Sequence, residues 1–190
     1  MIKVAVAIIT YHPNLNLLRK NIERYIDVVD KILIWENSSN DFEIPQEWGK
    51  KVEKIGLKQN QMMAYPLNQI VSRCKEDGYD YLMTMDQDSL WNNFGAFLMA
   101  AEKIFTEDNA VAICAPSINW DGIVRNPGVI DIEWVIQSGM LFSLKTIKGL
   151  DGFREDYGIY GVDEEYCFYL RLNGLKVKKT SKFQSHPTVW

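Results

Sequence analysis

A mostly parallel α/β sheet with helices on both faces follows from three features of this sequence. Apolar runs such as Val4 to Ile9 are continuous rather than alternating, the pattern of strands buried on both faces. Between such runs, through the first two thirds of the chain, lie segments whose apolar residues recur every three or four positions, as in helices lying on a sheet. The 190 residues, 47% hydrophobic and 24% charged, suffice for one domain with a substantial core.

The elements follow in order. Lys3 to Ile9 reads as a strand ended by the turn-forming Thr10-Tyr11-His12-Pro13-Asn14. Leu15, Leu18, Ile22, Tyr25, Ile26 and Val29 form one helical stripe, with Arg19, Lys20, Glu23 and Arg24 between them. Lys31 to Trp35 is a second strand, closed by Glu36-Asn37-Ser38-Ser39-Asn40, and Val52 to Ile55 is a weaker third. A helix runs from Pro66, a favoured first-turn residue, to Glu76. Asp80 to Met85 is the next strand, Asn92 to Phe105 a helix, Ala110 to Ala115 a buried strand, and Trp134 to Ser143 a strand, turn and strand around Ser138-Gly139. Val162 to Leu172 reads as a helix stopped by Asn173-Gly174. Leu175 to Thr180 reads as an edge strand, guarded by Lys176, Lys178, Lys179 and the following Lys182.

Charge and cysteine content exclude several classes. Twenty-one Lys and Arg against 25 Asp and Glu give a net charge of -4, so no summed positive field draws in nucleic acid. Cys74, Cys114 and Cys167 are odd in number and widely spaced, without zinc-site or disulfide-scaffold patterning, which fits a reducing cytoplasm. The apolar run near the amino terminus is too short for a signal peptide, and no run approaches the roughly 18 apolar residues of a membrane span. Membrane contact is expected to be peripheral at most. Nothing repeats.

Ligands of parallel α/β sheets bind beyond the carboxyl ends of the strands. Those ends hold Thr10-Tyr11, Glu36-Asn37 and Asp86-Gln87-Asp88-Ser89. Asp86 and Asp88, two apart at a strand end, can lean over one rim as a hard anionic site for magnesium or manganese carrying phosphate oxygens. The same four residues also suit a plain turn with Ser89 capping the next helix. Thr10, Tyr11, Glu36 and Asn37 can stack on and hydrogen-bond a nucleoside, or simply form turns and caps. Trp35, Trp48, Trp91, Trp120, Trp134 and Trp190 read mainly as packing residues, with a sugar-stacking platform possible among them.

Several blocks in order resemble the inverting glycosyltransferases of family 2, with the GT-A nucleotide-sugar fold, and especially the bacterial rhamnosyltransferase-like branch. Ile8-Ile9-Thr10-Tyr11-His12-Pro13-Asn14 is similar to the opening strand and first nucleotide loop, and Glu36-Asn37-Ser38-Ser39 to the D-N-x-S loop. Asn60, Ala64 and Asn68 keep the N-x-G-I-A-x-A-x-N spacing, and Asp86-Gln87-Asp88 the D-x-D motif. Ser138-Gly139-Met140 and Gly152-Phe153-Arg154-Glu155 resemble the acceptor-side segment, and Val162-Asp163-Glu164-Glu165-Tyr166-Cys167 the block preceding the general-base helix. The likeness covers residues 3 to 186.

The resemblance implies a single GT-A domain over residues 1–190, lacking the family's carboxyl-terminal helices. A nucleotide-diphosphate sugar is then the donor, contacted by Thr10, Tyr11, Glu36, Asn37, Asn60 and Asp86. The divalent cation, manganese or magnesium, is held by Asp86, Asp88 and His186. Asp163 is implied as the base that takes the acceptor's hydroxyl proton, with Ser138, Gly139 and Glu165 on the acceptor side. A helix amino end favours its carboxylate, although a first-turn cap needs the same residue. The acceptor is expected to be a glycan or lipid-linked glycan of surface polysaccharide, met in the cytoplasm near the inner membrane face. Glu36 departs from the family's Asp, and Met62, Met63 and Pro66 from the small residues of the third block. The rival readings are a noncatalytic nucleotide-sugar binder and a phosphohydrolase with Asp86 as nucleophile.

Overall fold

The computed structural model describes residues 2–39, 42–117 and 128–181. Eight strands form one sheet: β1 (Val4–Thr10), β2 (Lys31–Glu36), β3 (Val52–Ile55), β4 (Tyr81–Asp86), β5 (Val111–Pro116), β6 (Val129–Asp131), β7 (Leu141–Ser143) and β8 (Lys176–Thr180). They lie in the order β3-β2-β1-β4-β7-β5-β8-β6. The first four are mutually parallel, whereas β7 runs antiparallel between β4 and β5, and β6 antiparallel along β8. Helices α1 (Leu15–Glu23), α2 (Ala64–Glu76), α3 (Phe94–Glu107) and α4 (Val162–Leu172) cover the sheet.

Side-chain alternation along β1 explains why two hydrophobic layers form. Val4, Val6 and Ile8 point into a core shared with Leu18 and Ile22 of α1 and with Phe94 and Phe97 of α3. Ala5, Ala7 and Ile9 point the other way, toward Leu67 and Ile70 of α2 and Leu170 of α4. The alanines let α2 lie close to the sheet. Each fully buried Leu, Ile or Phe in these layers contributes roughly 1.5–3 kcal/mol by leaving water.

Four expectations need correction. Helix α1 ends at Glu23, and turns carry Tyr25 and Val29 inward to 1% and 3% exposure, so the apolar stripe outlasts the helix. Trp134 to Ile136 is no strand: only Leu141–Ser143 of the expected hairpin pairs, because Thr84 and Asp163 take up the polar groups at Gln137. The edge strand is β6, which periodicity over three residues cannot reveal, and it covers β8. The lysines of β8 therefore guard no edge. Lys176 pairs with Asp108 at 2.7 Å and Lys178 with Asp131 at 2.7 Å.

Candidate active site

The parallel register brings three strand ends to one rim. Thr10 aligns with Glu36 across β1 and β2, and Ile9 with Asp86 across β1 and β4. Thr10 is buried; its hydroxyl donates to the Trp35 carbonyl at 3.1 Å, and its own carbonyl accepts the Asn37 N–H at 2.9 Å. It braces the two strands. Tyr11 beyond it is half exposed. Gln87, between the two aspartates, grips the Tyr11 peptide from both sides, accepting its N–H at 2.9 Å and donating to its carbonyl at 3.2 Å.

Asn37 builds the neighbouring wall. Its side-chain oxygen accepts the Gln61 N–H at 2.7 Å, and its amide donates to the Met62 carbonyl at 2.8 Å and to Asn60 Oδ1 at 3.3 Å. The exposed Asn60 in turn accepts the Met62 N–H at 2.9 Å, which settles that residue in the left-handed region at φ 57°. Glu36 is only 5% exposed. Lys54 Nζ is ion-paired with Glu36 Oε1 at 3.1 Å, whereas the buried Gln61 Oε1 has no hydrogen-bond donor among the described residues. A buried acceptor in that state favours a ligand that donates.

The D-x-D segment is tied down equally firmly. Asn21, fully buried on α1, donates to the Asp86 carbonyl at 2.9 Å. Ser138 Oγ accepts the Asp86 N–H at 3.2 Å and lies 2.9 Å from Ser89 Oγ. Ser89 is thus spent on the site and caps nothing: helix α3 starts after Asn93, itself in the left-handed region. Gly139 carries φ +93°, and a Cβ there would lie 3.1 Å from Pro116 Cδ and 3.3 Å from the Trp91 ring. Only glycine lets this chain pass.

Asp163 lies in the first turn of α4. Its carboxylate accepts the Glu164 N–H at 3.0 Å within the helix and the Gln137 N–H at 3.0 Å from the loop that carries Ser138. One carboxylate thus ties the first turn of α4 to the loop that carries Ser138. Burial, the charge of Asp88 and, more weakly, that of Asp163 push the Asp86 carboxyl up to about 6, against a lowering hydrogen bond from Ser138. The three carboxylates hence share one anionic field around Ser138. Glu165, partly buried two positions beyond Asp163, is raised chiefly by burial, with Arg154 opposing. Asn68 clasps the preceding segment: it accepts the Phe153 N–H at 2.7 Å and donates to the Phe153 carbonyl and to Glu155, both at 2.9 Å.

A divalent cation suits these residues. Neighbouring oxygen anions, here the partly buried Asp86 and the exposed Asp88, are relieved by a hard positive ion. Among the described residues no group of three or more His, Cys, Asp or Glu side chains is placed to hold a metal ion, and Asp86 and Asp88 are the carboxylates at this rim that would have to supply its protein ligands. Such a pair leaves coordination positions to phosphate oxygens and water, as magnesium sites usually do. His186, Trp120 and Trp190 lie outside the described residues. Sequence reasoning missed Asn21, Gln61 and Gln87. Asn21 left a signal, a polar residue on the apolar stripe of α1, whereas the two glutamines left none.

No known family profile matches the chain, and no curated protein matches it. Solved structures do. A structure of TarS residues 1–349 from S. aureus aligns with 99% of this chain at TM-score 0.72 and 14% identity. The same fragment in complex with UDP-GlcNAc aligns with 100% at TM-score 0.65 and 16% identity. GalNAc-T7, crystallised with UDP, GalNAc and Mn2+, aligns with 95% at TM-score 0.72 and 9% identity. The chain spans 60%, 59% and 42% of those three chains. Among the described residues no helix is long and apolar enough to cross a membrane. With its mixed eight-stranded sheet and its polar rim beyond the parallel strands, the chain has the GT-A glycosyltransferase fold.

Proposed function

We propose that the protein is a metal-dependent inverting glycosyltransferase of the rhamnosyltransferase-like branch of family 2. It moves a sugar from a nucleoside diphosphate donor to a hydroxyl of a glycan or lipid-linked acceptor in O-antigen or capsule synthesis, in the cytoplasm near the inner membrane face. The observation that carries this reading is that the adjacent Gln137 and Ser138 bond Asp163 and the Asp86 backbone while the charges of Asp88 and Asp163 both act on Asp86, on a fold whose solved neighbours include complexes with UDP-GlcNAc and with UDP and Mn2+.

The residues divide the work. Glu36 and Asn37 shape the wall beside the nucleoside, and the exposed ring of Tyr11 stacks on its base. Asp86 and Asp88 hold the cation, whose contribution when bound is to stabilise charge on the departing diphosphate. Asp163 takes the acceptor's hydroxyl proton as that oxygen attacks the anomeric carbon from the face opposite the leaving group, which inverts the centre. Two backbone N–H groups at 3.0 Å fix its carboxylate, so the base is oriented before substrate arrives. Ser138 orients the Asp86 segment from the acceptor side.

A panel of UDP-GlcNAc, UDP-GalNAc and dTDP-rhamnose, titrated with and without manganese and assayed for turnover, tests the proposal. One donor should bind in a manganese-dependent way. The Asp163→Asn variant should keep that affinity and lose turnover by about 100-fold or more, the usual scale for removing a general base. Binding without turnover in the unaltered protein would show a noncatalytic binder. Absence of donor binding, with phosphate released from simple esters, would show a phosphohydrolase instead.

A further inference from the structure

A cavity of about 390 Å³ opens next to Ser138, between the end of β5 and residues 132–136. Pro116, Ile132, Trp134 and Ile136 give it mainly apolar walls, and Trp134 and Ile136 are exposed to 40% and 37%. Among the described residues its one cationic lining residue is Lys179 of β8. Among the lysines of β8, Lys176 and Lys178 are ion-paired at 2.7 Å, but no described carboxylate lies within 4 Å of Lys179. Lys179 is nonetheless half-buried, and that burial pushes its amine below the ordinary lysine range. A desolvated ammonium without a counter-ion costs free energy that an anion in the cavity would return. The rim acid Glu133 is exposed and forms no pair with it.

The location gives the cavity a meaning. Ser138 lines it and also binds the Asp86 backbone, while the adjacent Gln137 donates to Asp163. We propose that this cavity is the acceptor subsite, and that the acceptor presents a phosphate or a carboxylate to Lys179 Nζ while a sugar face lies against Trp134. The inference rests on the transfer reaction proposed above and adds the chemical class of its acceptor. A lysine stem laid over apolar surface would make the same contacts without needing charge, and the two cases respond differently to substitution.

The test uses glucose 6-phosphate, methyl glucuronide and methyl glucoside as probes, titrated into the full chain with chelator present and read by ligand-observed NMR. At least one anionic sugar should bind about tenfold more tightly than the neutral glucoside, as expected for a hydrogen bond to a charged group. The arm that shows the margin identifies phosphate or carboxylate. Lys179→Met, which keeps the apolar stem, should erase the margin, and Lys179→Arg should retain it. Lys179→Gln carries the same test if circular dichroism shows the methionine variant misfolded. Equal binding of all three sugars, or a margin that survives Lys179→Met, overturns the proposal. A parallel titration with UDP-GlcNAc, UDP-GalNAc and dTDP-rhamnose in manganese separates the two readings: loss of donor binding with the Lys179-dependent margin intact removes the transferase reading, while the reverse removes only the anionic acceptor.

Discussion

The two halves of the sheet solve different problems. Around β1, β2 and β4 the rim loops are fastened by side-chain-to-backbone hydrogen bonds, from Thr10 to Trp35, Asn37 to residues 61 and 62, Gln87 to Tyr11 and Asn21 to Asp86. Around β6 and β7, strands of three residues, the ties that hold the rim run to distant elements, from Thr84 and Asp163 to Gln137 and from Ser138 to Asp86, and among the described residues Trp134 stands exposed while Lys179 has no carboxylate beside it. A rim fixed in advance suits a ligand that is the same in every cycle, because ordering costs are met during folding. Open apolar walls and a free charge suit a ligand that brings its own chemistry.

The largest expected effect lies where the halves meet. Asp88→Ala should weaken manganese-dependent binding of the donor by about 100-fold or more, by removing one of two oxygen ligands, as isothermal calorimetry would read. Retained affinity would locate the cation elsewhere. Gly139→Ala, at φ +93° and 3.1 Å from Pro116, should cost about 2–3 kcal/mol and lower the melting temperature by several degrees. If the variant melts like its parent, the seam between the halves is looser than this geometry implies.

Asp86→Asn should act in the opposite direction on stability. An acid raised from 3.8 to about 6 binds its proton more tightly folded than unfolded, so the metal-free fold loses stability as pH rises through that window. An uncharged Asn suffers no such loss. The variant should therefore be more stable by up to about 3 kcal/mol at pH 7 in chelator and no more stable near pH 3, by denaturant titration. Gln87→Ala is the mildest change. Freeing the Tyr11 peptide should raise the donor's dissociation constant by about threefold to tenfold and leave the melting temperature nearly unchanged. A large drop in melting temperature would make the clasp part of the core rather than of the rim.

The parallel half was largely legible in the chain. Val4–Thr10, Lys31–Glu36 and Tyr81–Asp86 announce themselves as near-continuous apolar runs, and the residues just beyond each run are the ones at the rim. The second half was not. Val129–Asp131 is too short for periodicity to register, and the chain from Trp134 to Gln137 resembles a strand although its polar groups are taken by Thr84 and Asp163 from distant elements. The lysines of β8 mislead for the same reason: alternation cannot tell a solvated edge from charges answered by Asp108 and Asp131.

What local patterning dictated here was the set of buried runs, their helical partners and the acidic residues at their ends, since burial on both faces and a 3.6-residue stripe leave their mark on consecutive residues. What required the folded chain was the pairing across long separations: Asp163 with Gln137, Ser138 with Asp86, Gln87 with Tyr11, and a half-buried lysine with no described carboxylate beside it. A hydrogen bond between residues 76 positions apart depends on strand order and register, which arise from packing the whole sheet and leave no period in the sequence.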